Sequence, residues 1–176
     1  MRVTHWWEKF WNRTESGSKQ ELRVFFRSLA PPVGMHQRRK RLLNALAAAE
    51  EDNVFDSFEV TVLGREICRC DECQRVYRDT DLMKTIEHLL GWRTGGIRVN
   101  GFDTRRVDSS ITGEHYEAVI PPETSIAVYA EGTLSGVFPC SVEGESYGID
   151  RFLTDLVATA PRRRSLDRYR DVLETA

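Results

Sequence analysis

The sequence is short of the features that mark most functional classes. Four cysteines in 176 residues are too few for a disulfide scaffold, and three of them crowd into positions 68–73. No apolar run approaches the roughly 20 residues of a membrane span, and the first residues lack the apolar core of a signal peptide. The expected compartment is therefore the cytoplasm. There is no phosphate-binding loop, since Gly95-Gly96 lacks the following Lys-Ser/Thr pair. There is also no Gly-x-Ser-x-Gly elbow and no His-Glu-x-x-His. The four histidines are scattered singly, which suits surface residues better than a proton relay. A small enzyme using Asp103, Asp108, Glu114, His115 and Glu117 is thus only a third reading.

What is present fits one domain with two unlike ends. Composition is ordinary, at 40% hydrophobic and 30% charged, which excludes a collagen-like or wholly disordered chain. The net charge of −2 hides an acidic body: residues 1–20 and 161–176 each carry +2, and the rest carries −6. Val3, Trp6, Trp7, Phe10 and Trp11 fall on one face of a short amphipathic helix, followed by the flexible Ser16–Gln20 linker. This arm (1–20) would fold back or self-associate, dock on a protein partner, or lie on a membrane surface. Trp6, Trp7, Phe10 and Trp11 would be its contact residues.

The body (21–158) alternates strand and helix before turning strand-rich. Leu22–Leu29 reads as a strand ended by Pro31-Pro32, 35–51 as a helix and 57–63 as a half-buried strand. A helix over 81–90 is capped by Asp79 or Thr80. Strands over 98–108, 115–120, 126–130 and 133–138 follow, with turns at Gly113 and Glu131-Gly132. Ile149, Phe152, Leu153, Leu156 and Val157 make a closing helix before Pro161. The order predicts an α+β two-layer sandwich. Its sheet is mixed or antiparallel, its helices lie mainly on one face, and its first half is ferredoxin-like. On this reading a strand separates every pair of helices before residue 90.

Several short stretches resemble a family of small haloarchaeal proteins labelled helix-turn-helix domain proteins. They are Arg27-Ser28-Leu29 with the following Pro, Gln37-Arg38, Val60–Gly64, Ser110–Glu114, Ala127–Tyr129 with Gly132, and Val137–Ser141. The resemblance spans about 22–158 and implies a transcription-related role, with no established activity.

Two constellations carry chemistry of their own. Cys68-x-Cys70-x-x-Cys73 can converge on zinc, whose fourth ligand at about 2.3 Å would be Cys140, with His36 or His115 behind it. The alternative is three thiols in a loop and a small apolar Cys140 at a strand end. Arg38, Arg39, Lys40 and Arg41 crowd the first turns of a helix, where the macrodipole disfavours positive charge. Either carboxylates of the acidic body or a polyanion must offset them. The tail (159–176), where Leu166, Tyr169, Val172 and Leu173 fall on one side of a helix, adds Arg162, Arg163, Arg164, Arg168 and Arg170 as further candidates for nucleic-acid contact. The leading expectation is a non-catalytic regulatory or adaptor protein acting through association. The alternative is a DNA-binding transcriptional regulator.

Overall fold

A computed structural model of the chain describes residues 18–92 and 96–159. Both the arm contacts Trp6, Trp7, Phe10 and Trp11 and the tail arginines 162–170 lie outside the described residues.

The core is organised around a four-stranded sheet. Strand β1 (Gln20–Phe26) leads through α1 (Met35–Glu51) to β2 (Ser57–Val62), which pairs parallel with it. On its other side β1 pairs antiparallel with β7 (Thr124–Ala130), and β7 continues into β8 (Thr133–Phe138). The sheet is therefore mixed, in the order β2-β1-β7-β8. A parallel pair needs a long crossover, and the apolar stripe of α1 supplies one by burying Leu42, Ala45, Leu46 and Ala49. Gln20, the last residue of the expected linker, is already buried in β1.

The fold is α+β, as the sequence pattern predicts. In a ferredoxin-like first half a third strand would separate the two parallel strands, whereas β1 and β2 here bond directly. Turns are also placed as read. Glu131 and Gly132 both hold positive φ (50° and 75°), the backbone of a two-residue hairpin turn compatible with strand twist. The expected strand 98–108 is broken at Gly101 into β4 (Ile97–Val99) and β5 (Asp103–Asp108). Gly101 has φ 80°, and a Cβ there would meet Pro122 Cβ at 2.9 Å.

Helices occupy both sides of the sheet. The closing helix α4 (Ile149–Thr159) stacks Phe152 on Phe138 at 4.9 Å between ring centroids, and Arg39 of α1 sits over the Phe26 ring. These two helices match the expected single layer. On the face carrying Tyr129 and Leu134 lies a further helix, α3 (Asp81–Gly91). His88 approaches the Tyr129 ring, and Trp92 Nε1 donates to the Leu134 carbonyl at 3.3 Å. Strand β7 is thereby buried on both faces, while β1 keeps Glu21 and Arg23 partly exposed on one of its faces; Val24, Ile126 and Ala127 are fully excluded from solvent.

Two small sheets complete the body. Strand β9 (Cys140–Val142) lies between β4 and β10 (Glu145–Tyr147), while β6 (His115–Ile120) lies between β3 (Ile67–Cys68) and β5. Between β3 and α3 is a helix that the sequence reading did not foresee, α2 (Asp71–Tyr77), and it buries no side chain. It has no apolar stripe for a periodicity argument to find, since Val76 and Tyr77 are both exposed.

The two neighbouring helices should therefore respond differently to truncation. Leu89→Ala in α3, at 0% exposure, should cost about 2–5 kcal/mol. Val76→Ala in α2 should stay within about 0.5 kcal/mol. Urea denaturation midpoints measure both, and a large loss at Val76 would show α2 to be part of the core.

Candidate functional site

The local sequence from Ile67 to Gly91 builds a strand end, a thiol loop and two helices in succession. Cys68 pairs with Ala118 of β6, and the Arg69 amide continues the ladder by donating to the Glu117 carbonyl at 2.7 Å. Cys70 then leaves the strand with extended backbone (φ −64°, ψ 159°) and becomes the N-cap of α2. Asp71 and Glu72 occupy the first turn and Arg75 the last, the arrangement that complements the helix dipole. Gln74 closes the loop, its amide bonding the Cys70 carbonyl and its Nε2 the Arg69 carbonyl at 2.7 Å.

Arg78, Asp79 and Thr80 alone connect α2 to α3. Thr80 does the stopping and the starting. Its Oγ1 donates to the Tyr77 carbonyl at 2.7 Å and accepts from the Met83 amide at 3.4 Å, so one side chain ends α2 and caps α3. The expectation that strands separate all early helices is thus corrected: two helices are joined by three residues. Helix α3 is anchored by buried Met83, Ile86 and Leu89 and leaves Lys84, Glu87 and His88 exposed. Arg69 bridges the loop to α3 through Glu87 at 2.8 Å.

Three of the four predicted metal ligands converge. The sulfur atoms of Cys68, Cys70 and Cys73 lie within 4.8 Å of one another, all half-buried. The Cys70 amide donates to Cys68 Sγ and the Cys73 amide to Cys70 Sγ, each at 3.4 Å. The Cys73 amide holds the Cys70 thiol below its ordinary pKa. Hydrogen bonds to Cys70 and Cys68 keep the Cys73 proton in place, pushing that thiol up to about 12.

Cys140 does not join them. It is fully buried in β9, opposite Val99 and Tyr147, and desolvation alone pushes its thiol up to about 12. The expected four-cysteine site is corrected to three because residue 140 faces the apolar core. His36 is exposed at the start of α1, outside the group. His115 is bound instead to Asp108, Nδ1 to Oδ1 at 2.6 Å, with both side chains about three-quarters exposed. That pair stands on an open hairpin, and neither residue lines the cavity of about 400 Å³ between α1 and α4.

The basic run at the start of α1 is largely engaged by the body. Arg38 pairs with Asp150 of α4 at 2.9 Å. Arg39 donates to the Ser28 and Leu29 carbonyls at 2.9 and 2.8 Å. Burial also lowers its pKa. Arg41 is half-buried, and Lys40 is exposed. Body groups thus take up Arg38 and Arg39, the first of the two ways their position at a helix start could be accommodated.

The geometry defines a mixed α+β domain that carries a helix–turn–helix hairpin with a thiol group at its entrance. The chain matches the family model described as a helix-turn-helix domain over residues 14–161, and it belongs to that family. No curated protein and no solved structure matches it. Among the described residues, no helix is long and apolar enough to cross a membrane.

The accessible groups of the hairpin, Arg75, Arg78, Lys84 and His88, were not singled out by motif. The signal that marks α2 is its charge order: a capping residue, then Asp71-Glu72, then Arg75 and Arg78. Thiol chemistry checks the placement of the cysteines. In chelator-treated native protein, a chromogenic disulfide reagent should titrate three thiols per chain, with the fourth reacting only after unfolding. Four prompt thiols would show that Cys140 is not in the core.

Proposed function

We propose that the protein is a DNA-binding regulator and that the α2–α3 hairpin is the part that meets the duplex. The three-residue connection between α2 and α3 carries this reading. It is the spacing at which one helix can cross the backbone while the next presents side chains to a groove. Helix α3 is rigidly seated on the sheet, so its exposed side chains are displayed from a firm base. Membership of a helix-turn-helix family supports the same reading.

Electrostatics shape the form such binding takes. Residues 69–91 hold four basic and five acidic side chains, so the hairpin has no attraction for phosphate in bulk. Arg75, Arg78 and Lys84 are the exposed cations suited to phosphate contacts. Three such contacts give a log–log salt slope of about −3, shallow for a DNA-binding protein. Arg162, Arg163, Arg164, Arg168 and Arg170 would steepen that slope if the tail contributes. Zinc is the ion this reading assigns to Cys68, Cys70 and Cys73.

The test is fluorescence anisotropy of the full chain with duplexes selected from a random pool, read at several salt concentrations. A slope of about −3, and loss of binding in an Arg75→Ala/Arg78→Ala/Lys84→Ala variant, are expected. An absence of saturable binding at low salt, or an undiminished triple variant, would reject the reading.

A second reading, an adaptor acting through association, is favoured by the apolar side chains the hairpin exposes. Val76 is 58%, Tyr77 53% and Leu82 36% accessible. Under it the chain binds no DNA but self-associates or captures a partner, through these residues or through Trp6, Trp7, Phe10 and Trp11. Sedimentation of wild type, Tyr77→Ser and a chain lacking residues 1–20 separates those routes.

A further inference from the structure

We propose that Cys68, Cys70 and Cys73 form a three-thiolate site for a thiophilic cation with one coordination position left open, and that its occupancy clamps α2 to the sheet. The proposal rests on reading the thiols as metal ligands and goes beyond it in assigning the ion a mechanical role.

The ligand geometry comes first. In a tetrahedral thiolate site with metal–sulfur bonds of about 2.3 Å, neighbouring sulfurs are about 3.8 Å apart. Three sulfurs already within 4.8 Å need only a small contraction to reach that spacing. Two backbone amides point at sulfur, on Cys68 and Cys70, an arrangement that stabilises thiolate and holds the side chains in place. Each thiol that ligates releases its proton to solvent, and a divalent ion with three thiolates leaves one negative charge. Among the described residues no fourth His, Cys, Asp or Glu joins the group. Cys140, the natural fourth candidate, is buried in the core. Water or an external ligand would take the remaining position.

The mechanical role follows from where the three ligands sit. Cys68 belongs to β3 and is fixed by its pairing with Ala118, Cys70 caps α2, and Cys73 lies in its first turns. Helix α2 has seven residues and buries none of them, so neither length nor packing holds it. Its far end is tied to α3 by Thr80. Its near end joins the β3-β6-β5 sheet through the Cys68–Gln74 loop, which the Arg69–Glu87 bridge ties in turn to α3. A metal joining Cys68 to Cys73 would cross-link strand and helix directly, converting a hydrogen-bonded loop into a coordinated one.

The experiment uses the full chain, stripped with chelator under reducing conditions. Titration with Cd(II) should give thiolate-to-metal charge-transfer absorption saturating at one equivalent, and a chain preloaded with Zn(II) should reach the same band as Cd(II) displaces the zinc. Cys70→Ser and Cys73→Ser should abolish the band, and Cys140→Ala should retain it. Hydrogen exchange of the stripped and Zn(II)-loaded wild-type chain then reads the clamp. Amides of residues 72–78 should exchange at least about tenfold more slowly when loaded, with β7 unchanged. Failure of the band to saturate, or a band that requires Cys140, overturns both the site and the zinc reading. A normal band with unchanged exchange across α2 leaves the zinc reading intact and overturns the clamp. The stripped-against-loaded comparison needs no variant, so a serine substitution that misfolds does not blur the result.

Discussion

Everything in this structure depends on the double burial of β7. This strand is hydrogen-bonded on both edges and covered on both faces, so Ile126, Ala127 and Val128, with Val24 of the neighbouring β1, lose essentially all contact with water. Strands in that position are sustained by apolar area on both sides, at roughly 25 cal/mol per Å² removed from water. Since both faces must be covered, a single layer of helices is not enough. Helices α1 and α4 cover the Phe26 and Phe138 face, and α3 is drawn to the Tyr129 and Leu134 face. The hairpin is displayed where it is because the sheet needs α3 there.

That requirement divides the hairpin into unequal parts. Helix α3 is a core element with an outward face, held by Met83, Ile86 and Leu89. Helix α2 contributes nothing to the core and is defined by its ends: a cysteine cap, a threonine stop and a dipole-matched charge order. Segments of this kind, with few buried contacts, open at low free energy. A thiol group at the hinge of such a segment is well placed to influence it, whereas the same thiols against a packed helix would have little to change.

Charge is distributed by the same logic. Arg38 meets Asp150 of α4, and Arg39 meets two backbone carbonyls and the Phe26 ring at the end of β1, so their conspicuous sequence position reflects tertiary partners on both elements. Exposed pairs such as Arg38–Asp150 contribute little stability. They do lower the charge available to a polyanion. The hairpin itself is close to neutral, so it exerts little long-range attraction on a polyanion.

Sequence alone determined the elements whose side chains repeat with a period. The stripes of α1, α3 and α4 and the turns at Gly113 and Glu131-Gly132 follow from burial of one face or from positive φ, which are local demands. The alternation read over 57–63 does not hold in β2, where Val60 is 45% exposed. Sequence also showed that Cys68, Cys70 and Cys73 could meet, because the six residues from 68 to 73 span a single loop. Tertiary structure decided the rest. Cys140 lies sixty-seven residues beyond Cys73, and only the pairing of β9 with β4 and β10 settles that it faces the core and not the other thiols. Helix α2 was invisible because it has no buried face, and periodicity detects a helix only through the face that it buries. The direct pairing of β1 with β2, and the seat of α3 on the far side of the sheet, were likewise fixed by which surfaces remained to be covered once the chain had collapsed. No single segment carries that information.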